Sequence, residues 1–333
     1  MAKRPPPPDQ KPRWSKPIEW WLTRHFVRFL IASGRLMSRS GHRSVGRALG
    51  NTAWRAMPRY RNVALANLKR AFGGSWSDEE VLRVAQESFR GLGISMVEFF
   101  LWQPGLKGPE IDAAARLEGR EHYERAFARG NGVILITAHY GNWEMMGPCL
   151  SRAGYIVNAI SRTADDPTME RTIESIRKGA GVRQIPRSKA AREGLGCLRR
   201  NEILAILMDQ NTAEGGVFVP FFGHLASTAT GPAVFALKTG AALVPTFCLR
   251  EPDGSYTVRA REPILPEPTG DRQRDILMLT ARLTLAIEDQ IRERPELWSW
   301  LHNRWKLGPE LESLTDPEKE LLSRTSPGAN AER

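Results

Sequence analysis

Between Val133 and Arg261, five short runs rich in β-branched and apolar residues alternate with stretches of helical periodicity, and this alternation leaves few architectures open. The runs are Val133–Thr137, Tyr155–Ile160, Ile203–Met208, Leu243–Leu249 and Tyr256–Arg261. Helical patterns lie around 142–152, 166–179, 188–200 and 229–239, and a last helix is predicted near 272–293. Strands separated by helices favour crossover connections and parallel neighbours. The expected fold class is α/β, a largely parallel central sheet flanked by helices.

The N-terminal third reads differently. Residues 1–17 carry the Pro5–Pro8 run among scattered Lys and Arg and are expected to be a disordered Pro/basic tail. Over 18–40 the pattern becomes helical. At about 100° per residue, Arg24, Arg28, Arg35 and Arg39 form one stripe, with Leu22, Phe26, Phe29, Leu30, Leu36 and Met37 opposite and Trp20-Trp21 at the start. Such an amphipathic helix suits an anionic bilayer surface; the same pattern also describes a helix packed on the domain with its arginines solvated. Residues 42–101 read as further helices broken near Pro58 and Gly73-Gly74, and Ser77-Asp78-Glu79-Glu80 is a helix-start signal. The predicted organisation is a tail over 1–17, a membrane-associating helix over 18–40, a catalytic-sized domain over 41–310 and a polar flexible tail over 311–333.

A formal net charge of +11 favours an anionic partner, whether nucleic acid, acidic lipid or acidic protein. Charged residues at 26% and apolar ones at 41% exclude a many-span membrane protein and a disordered chain. Cys149, Cys197 and Cys248 are dispersed among apolar neighbours, a pattern of buried free thiols rather than disulfides or a zinc site. No uncharged apolar stretch reaches the roughly 18 residues of a membrane span, and the N-terminus lacks a signal-peptide pattern. A cytoplasmic protein, held on a membrane by other means if at all, is expected.

The chemistry concentrates where the strand Val133–Thr137 runs into Ala138-His139-Tyr140-Gly141-Asn142 and a probable helix, since ligands gather at the carboxyl ends of strands in open α/β sheets. Five residues separate His139 from Glu144, which on one helix would put them about 140° apart. With His139 in the loop and Asn142 capping the helix, Glu144 falls in the first turn, where it can reach back and orient the imidazole. Free N–H groups at that helix start suit a developing oxyanion. The spacing alone equally describes an ordinary loop histidine. Nucleophile-elbow, phosphate-loop and His-Glu-x-x-His motifs are absent, and Gly91-Leu92-Gly93 and Gly194-Leu195-Gly196 lack the third glycine of a dinucleotide fingerprint.

The run His139-Tyr140-Gly141-Asn142-Trp143-Glu144 resembles the His-x-x-x-x-Glu block of the bacterial lipid A biosynthesis (lauroyl/myristoyl) acyltransferases, within the wider glycerolipid acyltransferase group. Further blocks are similar and fall in the family's order. They are Arg61-Asn62-Val63 with Asn67-Leu68 and Ala71-Phe72; Arg162 after the second strand; Met208-Asp209-Gln210 after the third; Val217 to Gly223 with Thr228; and Trp300-x-His302-x-Arg304-Trp305-Lys306, where Trp305 stands in place of the commoner Phe. The resemblance implies an acyltransferase moving a fatty acyl chain from acyl carrier protein to a hydroxyl of a lipid A precursor, at the cytoplasmic face of the inner membrane. It implies His139 as general base supported by Glu144. It carries Arg162, Asp209, Gln210, Asn142 and a basic residue upstream of the Asp, Arg177 or its neighbour Lys178, over as substrate-binding. No metal and no cofactor are implied, the acyl thioester arriving on the phosphopantetheine of the donor. His302 and Arg304 read as structural, and Phe221-Phe222 as core or as acyl-chain wall.

Expected partners are acyl carrier protein or acyl-CoA, an anionic glycolipid acceptor and a membrane surface, without nucleic acid. Two other readings stay open. One keeps the reaction but uses acyl-CoA and another membrane glycolipid or phospholipid, as phosphatidylinositol mannoside acyltransferases do. The other is a basic nucleic-acid-binding or scaffold protein, which needs clustered cations with exposed aromatics and no role for His139.

Overall fold

The computed structural model describes residues 37–213 and 215–307, together with positions 21, 25, 316, 317 and 319. The predicted tail over 1–17 and most of both the helix over 18–40 and the tail over 311–333 therefore lie outside the described residues.

The chain begins with helices α1 (Arg39–Ala56), α2 (Pro58–Phe72) and α3 (Asp78–Val97), continued by a π-helical turn over Glu98–Trp102. Then follow α4 (Gly108–Ala114), β1 (Ala115–Glu118), α5 (Arg120–Phe127), β2 (Val133–Thr137), α6 (Met146–Arg152), β3 (Val157–Ser161), α7 (Pro167–Gly179) and β4 (Val182–Pro186). The remainder is α8 (Ala190–Arg199), β5 (Ile203–Leu207), β6 (Gly216–Phe221), β7 (His224–Ala229), α9 (Gly231–Thr239), β8 (Ala242–Arg250), β9 (Tyr256–Ala260) and α10 (Arg272–Glu293). Local chemistry sets several boundaries. Ser38 and Ser77 accept backbone N–H bonds from Gly41 and Glu80 at the starts of α1 and α3, and Asp166 and Asp271 do the same for α7 and α10. Pro58 opens α2, where a missing N–H costs nothing.

Seven strands form one sheet in the order β1-β9-β8-β2-β5-β3-β4. From β8 to β4 all neighbours are parallel; β9 runs antiparallel to β8, and β1 parallel to β9. The expected largely parallel sheet is present. Its central strands alternate between two apolar layers, as a period of two requires. Ile134, Ile136, Leu204, Ile206, Leu243 and Phe247 face one layer, with Leu68, Phe89, Leu198, Ala233 and Leu283 from the helices. Val133, Leu135, Ile203, Ala205, Val244 and Cys248 face the other, closed by Tyr123 and Ala126 of α5 and by Met146, Cys149 and Leu150 of α6. At about 1.5–3 kcal/mol for each fully buried Val, Leu or Ile side chain, these two layers are the main stabilising term.

All five predicted strands occur, within two residues of their expected ends. The sequence pattern misses β1, β4 and the β6–β7 hairpin. Cys149, Cys197 and Cys248 are buried free thiols, as expected. Arg39, assigned to a membrane-facing stripe, instead donates to Gly254 O at 2.7 Å and lies over the Trp102 ring. Among the described residues no helix is long and apolar enough to cross a membrane.

Candidate active site

Thr137 at the end of β2 pairs with Leu207 at the end of β5. Carried two residues further on the same face, this register sets His139 beside Asp209, because parallel neighbours lie about 4.8 Å apart and side chains repeat every second residue. The contact follows directly. His139 Nδ1 and Asp209 Oδ1 are 2.9 Å apart, and the His139 backbone N–H donates to Asp209 Oδ2 at 2.9 Å. Trp298 Nε1 donates to the same Oδ2 at 2.8 Å. The carboxylate, 3% exposed, has both oxygens committed to the protein.

These bonds decide the chemistry of the imidazole. With Nδ1–H donated to Asp209, Nε2 keeps its lone pair and is the atom left for a substrate. Burial works against the charged ring, but the charge and hydrogen bond of Asp209, helped by Glu144, outweigh it and raise the His139 pKa above the ordinary 6.5. Burial alone also opposes the Asp209 carboxylate; His139 and the Trp298 N–H reverse this and hold it down to about 2. A buried, ionised carboxylate behind a ring with a raised basicity is the arrangement of a general base.

The expected partner of His139 was Glu144, and the geometry corrects that. Glu144 turns to α7, where Arg177 grips it with Nε at 3.1 Å and Nη2 at 2.6 Å; Trp143 Nε1 adds a bond at 3.2 Å. Its link to His139 is through charge alone. Arg177 also donates to Gln184, and Gln184 to Glu170, so the ion pair is braced between α7 and β4. Of the two basic residues the sequence left open, Arg177 is the one at the site.

Asn142 is the second correction. It was expected to cap a helix and bind substrate. It makes no side-chain cap, is 0% exposed, and donates through Nδ2 to Glu98 at 2.9 Å. The turn it precedes is a short 3₁₀ turn over Trp143–Met145. Asp209, likewise expected to bind substrate, makes its contacts with His139 and Trp298 and does not line the cavity.

His139 stands at the mouth of a cavity of about 510 Å³. Leu135, Thr137 and His139 continue one face of β2 into it; Ala205 and Leu207 come from β5 and Val157, Ala159 and Ser161 from β3. The space exists because β3 stays paired with β5 only as far as Ala159–Ala205, whereas β2–β5 continues to Thr137–Leu207 and β3–β4 to Ser161–Pro186. Met146, Gly147 and Leu150 of α6 and Ile173 of α7 close the apolar interior. The polar lining comprises Glu144, Arg177, Arg162, Arg187, Glu170 and Gln210. Arg162 can reach a ligand, its side chain 75% exposed and, among the described residues, paired with Asp165.

The remaining sequence blocks meet behind this wall. Asn67 donates to the carbonyls of Trp300 and His302 at 2.8 and 2.7 Å, joining the first block to the last. Arg304, buried, donates to Ser227 O at 2.6 Å and also to Thr228 Oγ1, and Phe221 and Phe222 pack with Trp298, Trp300 and Trp305. These residues are core, and the phenylalanines do not line the cavity. Sequence reasoning missed Arg187, which follows the unpredicted β4, and Trp298, whose only signal was its place in a Trp-rich segment. It also missed Glu98, which nothing in its helical surroundings marks. No cluster of His, Cys, Asp or Glu able to hold a metal ion occurs among the described residues.

Comparison with known proteins agrees with the blocks. Residues 8–307 match the model of a family described as bacterial lipid A biosynthesis acyltransferase. The chain is 31% identical to a phosphatidylinositol mannoside acyltransferase of Mycobacterium tuberculosis (strain ATCC 25618 / H37Rv) over 193 residues, 56% of this chain. That match spans 58% of the mycobacterial protein. It is 26% identical over 275 residues to the lipid A biosynthesis palmitoleoyltransferase of Escherichia coli (strain K12), covering 81% of this chain and 86% of that one. The lauroyltransferase of the same strain is 26% identical over 80% of this chain and 85% of its own.

Proposed function

The chain belongs to the bacterial lipid A biosynthesis acyltransferase family, and from that premise we propose that it is an O-acyltransferase carrying a fatty acyl group from acyl carrier protein to a hydroxyl of a lipid A precursor. The observation that carries this reading is the His139–Asp209 pair set at the mouth of a largely apolar cavity rimmed by Arg162, Arg177 and Arg187. The interior suits a hydrocarbon chain, at about 0.8 kcal/mol for each methylene removed from water. The arginines suit phosphate groups on donor or acceptor.

In the reaction His139 Nε2 takes the proton of the acceptor hydroxyl as its oxygen attacks the thioester carbonyl. Asp209 stabilises the imidazolium that forms. Collapse of the tetrahedral intermediate breaks the C–S bond, and the imidazolium returns its proton to the departing thiolate. An ester and a free phosphopantetheine thiol result, and His139 is neutral again. Glu144 contributes its charge to the imidazolium and fixes Arg177 at the rim. On this reading the site belongs on the cytoplasmic face of the inner membrane, where the acceptor is presented.

Purified protein incubated with acyl carrier protein thioesters of several chain lengths and a lipid A precursor tests the reading. Acyl transfer is expected for wild type, with a loss of about 10³-fold or more for His139→Ala. Wild-type turnover by His139→Ala sinks the mechanism. A second reading is favoured by the higher identity to the mycobacterial relative: an acyl-CoA donor and a mannosylated glycolipid acceptor. Transfer from acyl-CoA to such an acceptor, with none to the lipid A precursor, selects it.

A further inference from the structure

Against the His139–Glu144 loop, and outside the cavity lining, lies a carboxylate that the acyl transfer leaves unassigned. Glu98 opens the π-helical turn after α3 and is 0% exposed. Wide turns of this kind are rare and are frequently found at functional sites. Its Oε2 accepts from Asn142 Nδ2 at 2.9 Å, from the Tyr256 hydroxyl of β9, and from Arg250 Nη2 of β8 at 3.4 Å. Its Oε1 faces Arg43 Nε of α1 at 3.5 Å. A buried charge persists only when neighbours compensate it, and here those neighbours come from four separate parts of the chain.

A second link runs beside the first. Arg250 Nη2 donates to Ser95 Oγ at 2.8 Å, and Ser95 Oγ donates to Gly141 O at 2.8 Å. Consecutive residues of the loop, Gly141 and Asn142, are thus tied to the end of α3 and to the π-helical turn that follows it. On the loop's other flank Gly141 N–H donates to Leu297 O, and Ser299 N–H donates to His139 O. Asn142 lies in the chain between two groups that line the cavity, His139, hydrogen-bonded to Asp209, and Glu144, ion-paired with Arg177.

We propose that Glu98 is a positioning residue of the acyl transfer, acting through Asn142 to hold His139 against Asp209 and Glu144 against Arg177. The role rests on the acyltransferase reading, but its physical content, the placement of the His139 ring, does not. A displacement of about 1 Å at a catalytic group costs roughly 10²-fold in rate, so a rigid strut behind the loop is worth a buried charge.

Glu98→Gln keeps the shape and removes the charge that gathers Arg43, Arg250 and Tyr256. Two measurements on the full chain test the assignment: the His139 imidazole titration followed by NMR, and kcat and KM for acyl transfer per folded molecule. His139 faces Asp209, Glu144 and His302; Glu98 is not among the charges that set its pKa. A change in its titration therefore reports a moved ring. In the variant the His139 pKa falls as the ring leaves its counter-charge, and kcat drops by roughly tenfold or more with KM little changed. An unchanged titration overturns the proposal, whether or not activity falls, because a purely structural acid lowers the folded fraction without moving the ring. If wild type transfers no acyl group, the function fails, and the titration still decides the role of Glu98. Tyr256→Phe, which removes one donor and keeps the ring, gives the same readout with a smaller shift should Glu98→Gln fold poorly.

Discussion

At the scale of single residues, the proposed mechanism makes His139 the base and rests its basicity on Asp209. Replacing it with Asn leaves the ring buried without its counter-charge, and of the influences on His139 burial is the largest and lowers its pKa. The sign follows. The active form is neutral His139, so in wild type kcat/KM falls as pH drops through a pKa above 6.5. In Asp209→Asn that acid limb moves to lower pH. The rate on the plateau is expected to fall by about 10³–10⁴-fold, since the amide no longer fixes the tautomer that frees Nε2. A pH–rate profile with its acid limb unmoved refutes the pairing. Little of this was legible. The sequence singles out His139 by its place after a strand and Glu144 by nearness, but Asp209 is seventy positions away, and only the strand register, invisible in one sequence, brings it opposite. The resemblance had already placed Asp209 at the site, in the role of a substrate ligand.

At the scale of elements, the loop after β2 is as constrained as the strand before it. Gly141 has φ +57, and a Cβ there lies 1.8 Å from the Cys248 carbonyl oxygen of β8. Gly141→Ala must therefore adopt a left-handed conformation, at about 1 kcal/mol, and also push the loop off β8. A total destabilisation of about 2–4 kcal/mol is expected from urea melts, with a larger fall in kcat than in folded fraction because His139 rides on the same loop. A variant with wild-type midpoint and activity refutes the constraint. The elements themselves were more legible than their contacts. Fully buried strands such as Val133–Thr137 announce themselves as apolar runs. The edge strand β4, with Arg183 and Gln184, and β7, with the run Leu225-Ala226-Ser227-Thr228, carry no such signal. They pair through backbone bonds that any side chain permits.

At the scale of the whole molecule, a net charge of +11 meets a donor and an acceptor that are both anionic under the proposed function. The charge cannot act through the His139–Asp209 pair, whose carboxylate is buried and locally compensated. It acts through groups such as Arg162, exposed at the cavity rim. Exposed charges are screened within about 8–10 Å at physiological salt, whereas a short buried pair is not. The two kinds of interaction are therefore separable in one experiment. Raising salt from about 50 to 300 mM is expected to raise KM for an acyl carrier protein donor several-fold while kcat stays nearly constant, because encounter weakens and chemistry does not. The same titration with a short, uncharged thioester donor should leave KM almost unchanged. A KM for the carrier protein that ignores salt, or a kcat that falls with it, places the positive charge elsewhere than on the route of the donor.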